Sequence, residues 1–150
     1  MESRKNDIWF LEYAALFTKV YHLCCRWAST KHTTYTNVLL MMELYACEDG
    51  CEAAELADRL YLPRQTMTYI LKTLEEDGLI KRTPHQTDKR RKVIRLTQKG
   101  EGFAKSTMEE LGTEFLGFTD HLPNDKQILL KAVKEYIGEL EEKLARCKGF

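Results

Sequence analysis

The chain has little of what interrupts or staples a fold. Three prolines and eight glycines in 150 residues leave no Pro- or Gly-rich linker, and no repeat or low-complexity tract divides the sequence. Formal net charge is zero, so the whole-chain balance points to no polyanionic partner. The longest aliphatic run, Val38 to Met42, is far too short to cross a bilayer. The charged start Met1-Glu2-Ser3-Arg4-Lys5-Asn6-Asp7 runs into a stretch carrying Glu12 and Lys19, unlike a signal peptide. Five cysteines (24, 25, 47, 51 and 147) make an odd set with two adjacent members. That argues against a secreted disulfide framework and for a cytoplasmic chain with no membrane partner.

Catalytic signatures are missing as well. There is no Gly-rich phosphate loop, no nucleophile elbow and no His-Glu-x-x-His helix. Glu75-Glu76-Asp77 and Glu139-Glu141-Glu142 are expected to be solvated helix faces. No enzyme and no cofactor is expected. His22, Cys24, Cys25 and His32 do not have the spacing of a closed zinc motif, so no metal site is expected either.

What is present is concentrated. Between Lys81 and Lys99 stand eight basic residues (81, 82, 89, 90, 91, 92, 95 and 99) against one acid, Asp88; the rest of the chain holds 15 bases and 22 acids. A neutral protein with its excess positive charge in one short stretch is built to meet a polyanion there.

Apolar spacing predicts a long first helix from Ile8 to about Ala28, a polar connector over Ser29–Thr34, and a buried second helix over Asn37–Cys47. Asp49-Gly50 ends that helix. A third helix is expected at about Glu52–Leu60, with Ala53, Leu56, Ala57 and Leu60 on one face. A fourth starts at Pro63 or Arg64, buries Met67, Ile70, Leu71 and Leu74, and ends in a left-handed cap at Asp77-Gly78. Leu79–Arg82 and Val93–Leu96 have strand character, with Ile94 and Leu96 on one face, Val93 and Arg95 on the other, and Pro84 in a polar tip between. Thr97 is an N-cap for a fifth helix carrying Phe103, Met108, Leu111, Phe115 and Phe118. Gly100, Gly102, Gly112 and Gly117 weaken that helix or mark a bend. A last helix runs over about Asn124–Arg146.

Helix, tight turn, helix and cationic hairpin, in that order, form a shape that fits duplex DNA: a rod for the major groove beside a positive finger for the phosphates or minor groove. Only about the middle 65 residues are needed for this. Long amphipathic helices at both ends then have nothing to cover except each other across a two-fold axis, which predicts a homodimer.

Several motifs now carry a resemblance. Glu55-Leu56-Ala57, Thr66-x-Thr68, Leu74-Glu75-x-x-Gly78-Leu79-Ile80 and, above all, Asp88-x-Arg90 followed by Ile94-x-Leu96-Thr97-x-x-Gly100 resemble the MarR family of bacterial transcription regulators. The motif match covers about 50 residues, and the flanking helices agree in order and length. The resemblance implies a mainly α fold: a winged helix-turn-helix with a small β-hairpin wing, plus N- and C-terminal helices forming a dimerisation region. A single domain over 1–150 is expected, with the DNA-binding lobe at about 37–100 and the helical dimerisation region at about 1–30 and 101–150. It also implies a pseudo-palindromic operator and release by a small molecule, oxidant or metal. Glu52 and Pro63 depart from the Ser or Thr helix caps common in the family, and the connector between the first two helices is short.

The outward positions of the fourth helix are Arg64, Gln65, Thr68, Tyr69 and Lys72, with Thr66 in the opening motif. Gln pairs bidentately with adenine, Thr meets a base edge or thymine methyl, and Arg suits guanine or phosphate. Base reading is therefore expected from Gln65, Thr68 and Tyr69, and phosphate contact from Arg64 and Lys72. By the resemblance, Arg90 enters or borders the minor groove, held by Asp88. Lys89, Arg91 and Lys92 add salt-dependent phosphate attraction. The expected partners are double-stranded DNA, a second copy of the chain, and a small-molecule effector of unknown identity. The effector could lodge near Trp9, Phe17, Tyr21, Trp27 or Tyr35, unless those rings simply fill the core. Two alternatives stay open: a thiol-based sensor using Cys24 or Cys25, and a winged-helix module that docks on an acidic protein without reading DNA sequence.

Overall fold

Caps and buried stripes define the elements of the computed structural model, which describes residues 2–85, 88, 91–115 and 125–146. The side chains of 2–10, 114–115, 125–126 and 144 lie outside that description. In order come α1 (Glu2–Thr30), α2 (Tyr35–Ala46), β1 (Cys51–Glu52), α3 (Ala53–Arg59), α4 (Arg64–Glu76), β2 (Ile80–Pro84), β3 (Lys92–Leu96), α5 (Gln98–Glu110), a π-helical turn (Leu111–Phe115) and α6 (Asp125–Arg146). The chain forms two units, Met1–Met108 and Glu109–Phe150.

The expected mainly α winged helix-turn-helix is present, with differences at its edges. α1 starts at Glu2, ahead of Ile8, and runs to Thr30. α2 starts two residues before Asn37 because Thr34, in extended conformation, accepts from Asn37 N at 3.1 Å and satisfies one of the helix's orphan donors. Glu52, expected to open the third helix, instead lies with Cys51 in a strand on β3, pairing Cys51 with Ile94 and Glu52 with Val93. Two residues are too few for alternation to show in a sequence. Pro84 is not in the tip: it closes β2, opposite Lys92, on an edge strand where a missing N–H is tolerated. The sheet order is β1-β3-β2, all antiparallel. With partners on both sides, β3 buries Val93 as well as Ile94 and Leu96, so its faces are not divided into apolar and polar.

Two helix ends use the same device. After α4, Leu79 N donates to Leu74 O (2.9 Å) and Gly78 N to Glu75 O (3.0 Å), with Gly78 at φ +69°; this is the expected left-handed cap. After α3, Leu62 N donates to Ala57 O (2.8 Å) and Tyr61 N to Asp58 O (3.2 Å), and here the left-handed residue is Tyr61. Glu52 and Pro63 do occupy the N-cap positions of α3 and α4, and neither makes a side-chain cap bond.

One core joins α2, α3, α4, the sheet and α5. Leu40, Met41 and Leu44 of α2, Leu56 and Ala57 of α3, Met67, Leu71 and Leu74 of α4, and Ile80, Ile94 and Leu96 of the sheet are buried together, with Ala104 of α5 closing it. Each buried Leu, Ile or Met side chain among them contributes about 1.5–3 kcal/mol of apolar transfer. Ile70, placed in the sequence-derived stripe, is only partly buried. Elsewhere apolar groups stay exposed: Leu11, Leu16, Phe17, Val20 and Leu23 on α1, and Ile128, Leu129, Leu130, Ile137 and Leu140 on α6.

α5 begins under tight constraint. Thr97 caps it, accepting from Gly100 N (3.1 Å), while its own hydroxyl donates to Gly78 O (2.7 Å). A Cβ on Gly100 would lie 2.0 Å from Leu79 O. Alanine normally stabilises a helix interior by about 1 kcal/mol over glycine. Gly100→Ala is expected to do the opposite, destabilising by about 1–3 kcal/mol as overpacking does; chemical denaturation checks the sign.

Candidate nucleic-acid interface

The inward stripe of α4 fixes what points out. With Met67, Leu71 and Leu74 buried, Arg64, Gln65, Thr66, Thr68, Tyr69 and Lys72 are all exposed, Tyr69 at 72%. Thr68 donates its hydroxyl proton to Arg64 O at 2.9 Å, so in this rotamer the oxygen is left as an acceptor and the methyl as an apolar contact. Lys72 lies 3.7 Å from Glu76 one turn on, an exposed pair too weak to hold it from solvent. Arg64 is engaged differently. Its guanidinium reaches back to α3, donating to both Asp58 carboxylate oxygens (2.7 and 2.9 Å) and to Ala54 O. The residue assigned to phosphate thus also bridges the two helices.

The basic run is neutralised unevenly. Arg82 lies 3.0 Å from Glu75 at the end of α4, close enough for attraction although its Nε–H is off the line of a hydrogen bond. Arg95 donates to Thr83 Oγ1 (2.8 Å), and Lys99 to Asp77 O (2.7 Å), where the C-terminal carbonyls of α4 attract a cation. Arg91, expected among the phosphate contacts, forms an ion pair with Glu52 of β1. Lys81 and Lys92 are exposed. At the tip, His85 N donates to Arg91 O and Arg91 N to Asp88 O, both at 3.0 Å, and Asp88 is exposed. Lys89 and Arg90 lie outside the described residues, and so does the Asp88–Arg90 pair expected there.

Sequence reasoning missed the acids that organise this surface: Asp58, Glu75 and above all Glu52. The only cue was Glu52 at an N-cap position that favours Ser or Thr. Its partner is 39 residues away.

The aromatic residues proposed for an effector are packed in part. Trp27 is buried at 8% exposure, Tyr21 meets Tyr35 edge-on at 6.2 Å, and Trp9 has no described side chain. Burial, with a smaller effect from the Cys24 thiol that it bonds, pushes the Tyr35 hydroxyl up to about 12. The clefts lie elsewhere. One of about 440 Å³ is lined by Asp49, Cys51, Glu52, Glu55, His85 and Arg95, among others. Another of about 360 Å³ is lined by Leu44, Tyr45, Cys47, Glu48, Lys81 and Glu101, among others. No group of three or more His, Cys, Asp or Glu among the described residues could hold a metal ion.

This geometry has close counterparts. A family model described as MarR matches residues 33–92. The HTH-type transcriptional regulator TtmR of Methylorubrum extorquens is 33% identical over 107 residues, 71% of this chain and 54% of TtmR, so the chain spans about half of that relative. The HTH-type transcriptional regulator FarR of Neisseria gonorrhoeae is 30% identical over 104 residues, covering 69% of this chain and 71% of FarR. Among solved structures, the complex of S. aureus MepR with DNA superposes with a TM-score of 0.72 at 25% identity, covering 85% of this chain and 97% of MepR.

The Glu52–Arg91 pair ties the outer end of the wing to the strand before α3. Glu52→Gln removes the charge and keeps the shape. Amide exchange at His85 and Arg91 is then expected to quicken several-fold while that of Leu71 and Leu74 is unchanged, as hydrogen-exchange mass spectrometry would read.

Proposed function

Because this chain belongs to the MarR family, we propose that it is a DNA-binding transcription regulator, a homodimer that represses from a pseudo-palindromic operator until an effector releases it. α4 lies in the major groove and the β2–β3 wing reaches the adjacent minor groove. The observation that carries this reading is the division of α4 into a buried stripe and an outward face of Gln65, Thr66, Thr68, Tyr69 and Lys72, set beside a basic hairpin. The likeness to a MepR–DNA complex supports it. So do the names of the relatives, which are transcriptional regulators rather than enzymes.

Gln65, Thr68 and Tyr69 read base edges. Lys72, Lys92 and Lys89 supply phosphate attraction that falls with salt. Arg90 enters the narrow groove, where its planar, weakly hydrated head tolerates partial desolvation. Arg64 and Arg91 take a double part, since Asp58 and Glu52 hold them in place and each can still face a phosphate. The exposed apolar faces of α1 and α6 favour association of two copies, which would set the recognition helices about 34 Å apart. Operator DNA sets the cytoplasm as the place of action, and no helix among the described residues is long and apolar enough to cross a membrane.

Duplexes selected from a random pool test the reading. Arg90→Ala is expected to weaken binding by about 1–3 kcal/mol without unfolding the protein, and Gln65→Ala to relax preference at one base position by a similar amount. Fluorescence anisotropy across a salt series measures both. Equal affinity for selected and scrambled duplexes would instead favour docking on an acidic protein.

A further inference from the structure

The chain brings together two sulfurs that its sequence did not single out. Cys47 is the C-cap of α2 and Cys51 opens β1. Between them the chain turns sharply: Gly50 N donates to Cys47 O at 3.0 Å, and Gly50 sits at φ +77°. The turn leaves the Cys51 thiol donating to Cys47 Sγ at 2.7 Å, so less than about 1 Å of movement separates the pair from the ~2.05 Å of a disulfide.

The two thiols differ in their surroundings. Cys51 is 3% exposed in the core. Cys47 is half-buried and lines the cleft of about 360 Å³ beside Leu44, Tyr45 and Glu48. Arg59 donates to Cys47 Sγ (3.2 Å) while gripped by Glu43 (3.3 Å) and Glu55 (2.6 Å). A guanidinium beside a sulfur is the setting in which a cysteine acts as a nucleophile. Burial, together with the Cys47 contact, pushes the Cys51 thiol up to about 12, so it keeps its proton at neutral pH.

We propose that Cys47 and Cys51 are a reaction site for hydroperoxides, with Cys47 attacking and Cys51 resolving, and that the resulting disulfide lowers affinity for DNA. The Cys47 sulfur attacks the terminal peroxide oxygen. An S–O bond forms, the O–O bond breaks, and the departing oxygen takes a proton to leave as an alcohol or as water. Cys51 then attacks the Cys47 sulfenic acid. The S–S bond forms, the S–O bond breaks, and hydroxide leaves with the Cys51 proton as water. Two thiols lose two electrons and the peroxide gains them; an added dithiol reverses the change.

The consequence for DNA rests on the functional reading above. Cys51 pairs with Ile94 at the centre of the sheet, and its neighbour Glu52 stands at the start of α3 and holds Arg91 of the wing. A covalent tie from α2 to β1 therefore acts on the wing, and on the start of α3, the helix to which Arg64 of α4 is paired. Cys24 and Cys25 have a different setting, against Tyr35 and Tyr21 on α1 and α2.

The test treats the full chain with a few equivalents of hydrogen peroxide and reads it twice. Trypsin releases residues 32–59 as one peptide holding Cys47 and Cys51 but neither Cys24 nor Cys25. That peptide is expected to lose two hydrogens and regain them with dithiothreitol. Cys51→Ala, which spares the buried site a hydroxyl, is expected to stop at a sulfenic acid trapped by dimedone on Cys47. Cys24→Ser/Cys25→Ser is expected to react like the parent. Separately, the oxidised chain is expected to bind a selected duplex about tenfold more weakly, within the ~5–150-fold usual for coupled sites. An unchanged 32–59 peptide overturns the reaction site, and equal affinity of oxidised and reduced chain overturns the link to DNA. If the reduced chain binds no duplex, the functional reading fails and with it that link, while the peptide still decides the chemistry.

Discussion

Burial of one stripe of α4 is the contact on which the rest depends. Met67, Leu71 and Leu74 share a core with Leu40, Leu56, Ile80 and Ile94, all within 1–2% of complete burial. At about 1.5–3 kcal/mol per side chain, this outweighs any surface pair in the molecule and fixes the rotation of α4. Rotation decides which face is presented: a half-turn about the helix axis would put apolar groups where Gln65 and Tyr69 stand. The Schellman cap at Gly78 and the close approach of Gly100 to Leu79 O then fix where α4 stops and where the wing and α5 start.

Charge works on a second level, by selective neutralisation. Acids from other elements hold Arg64, Arg82 and Arg91 by Asp58, Glu75 and Glu52. These pairs sit at the surface and add little to stability. Their effect is geometric: each joins α4 or the wing to a neighbour and orients a guanidinium that solvent can still reach. Lys72, Lys81 and Lys92 remain exposed for longer-range attraction. A basic run is thereby made into a surface of defined shape.

Much of this was legible in the sequence because its signals are periodic or local. Helical spacing separated the two faces of α4, Gly78 announced a left-handed cap, and Thr97 announced an N-cap; Ile70 alone was placed too deep. What stayed hidden was short or tertiary. β1 has two residues, too few for a strand to declare itself. Pro84 in a strand runs against propensity and is permitted only by an edge. Glu52–Arg91 spans 39 positions, and nothing in either segment names the other. Cys47 and Cys51 are only four apart, yet their meeting depends on the Asp49-Gly50 turn between a helix end and that unseen strand. The role proposed for each outward residue, and the proposed association of two copies, are matters of assembly rather than of one chain's pattern.

The central claim is that the outward face of α4 and the wing engage one duplex together. Hydroxyl-radical footprinting of the full chain, with and without a selected duplex, addresses it most directly, because Tyr69 is exposed and Met67 of the same helix is not. The account predicts that Tyr69 and the wing segment around Pro84 and His85 lose reactivity on adding duplex, while Met67 stays unreactive throughout. Protection of the α6 face around Ile128–Leu130 with Tyr69 unchanged would contradict it.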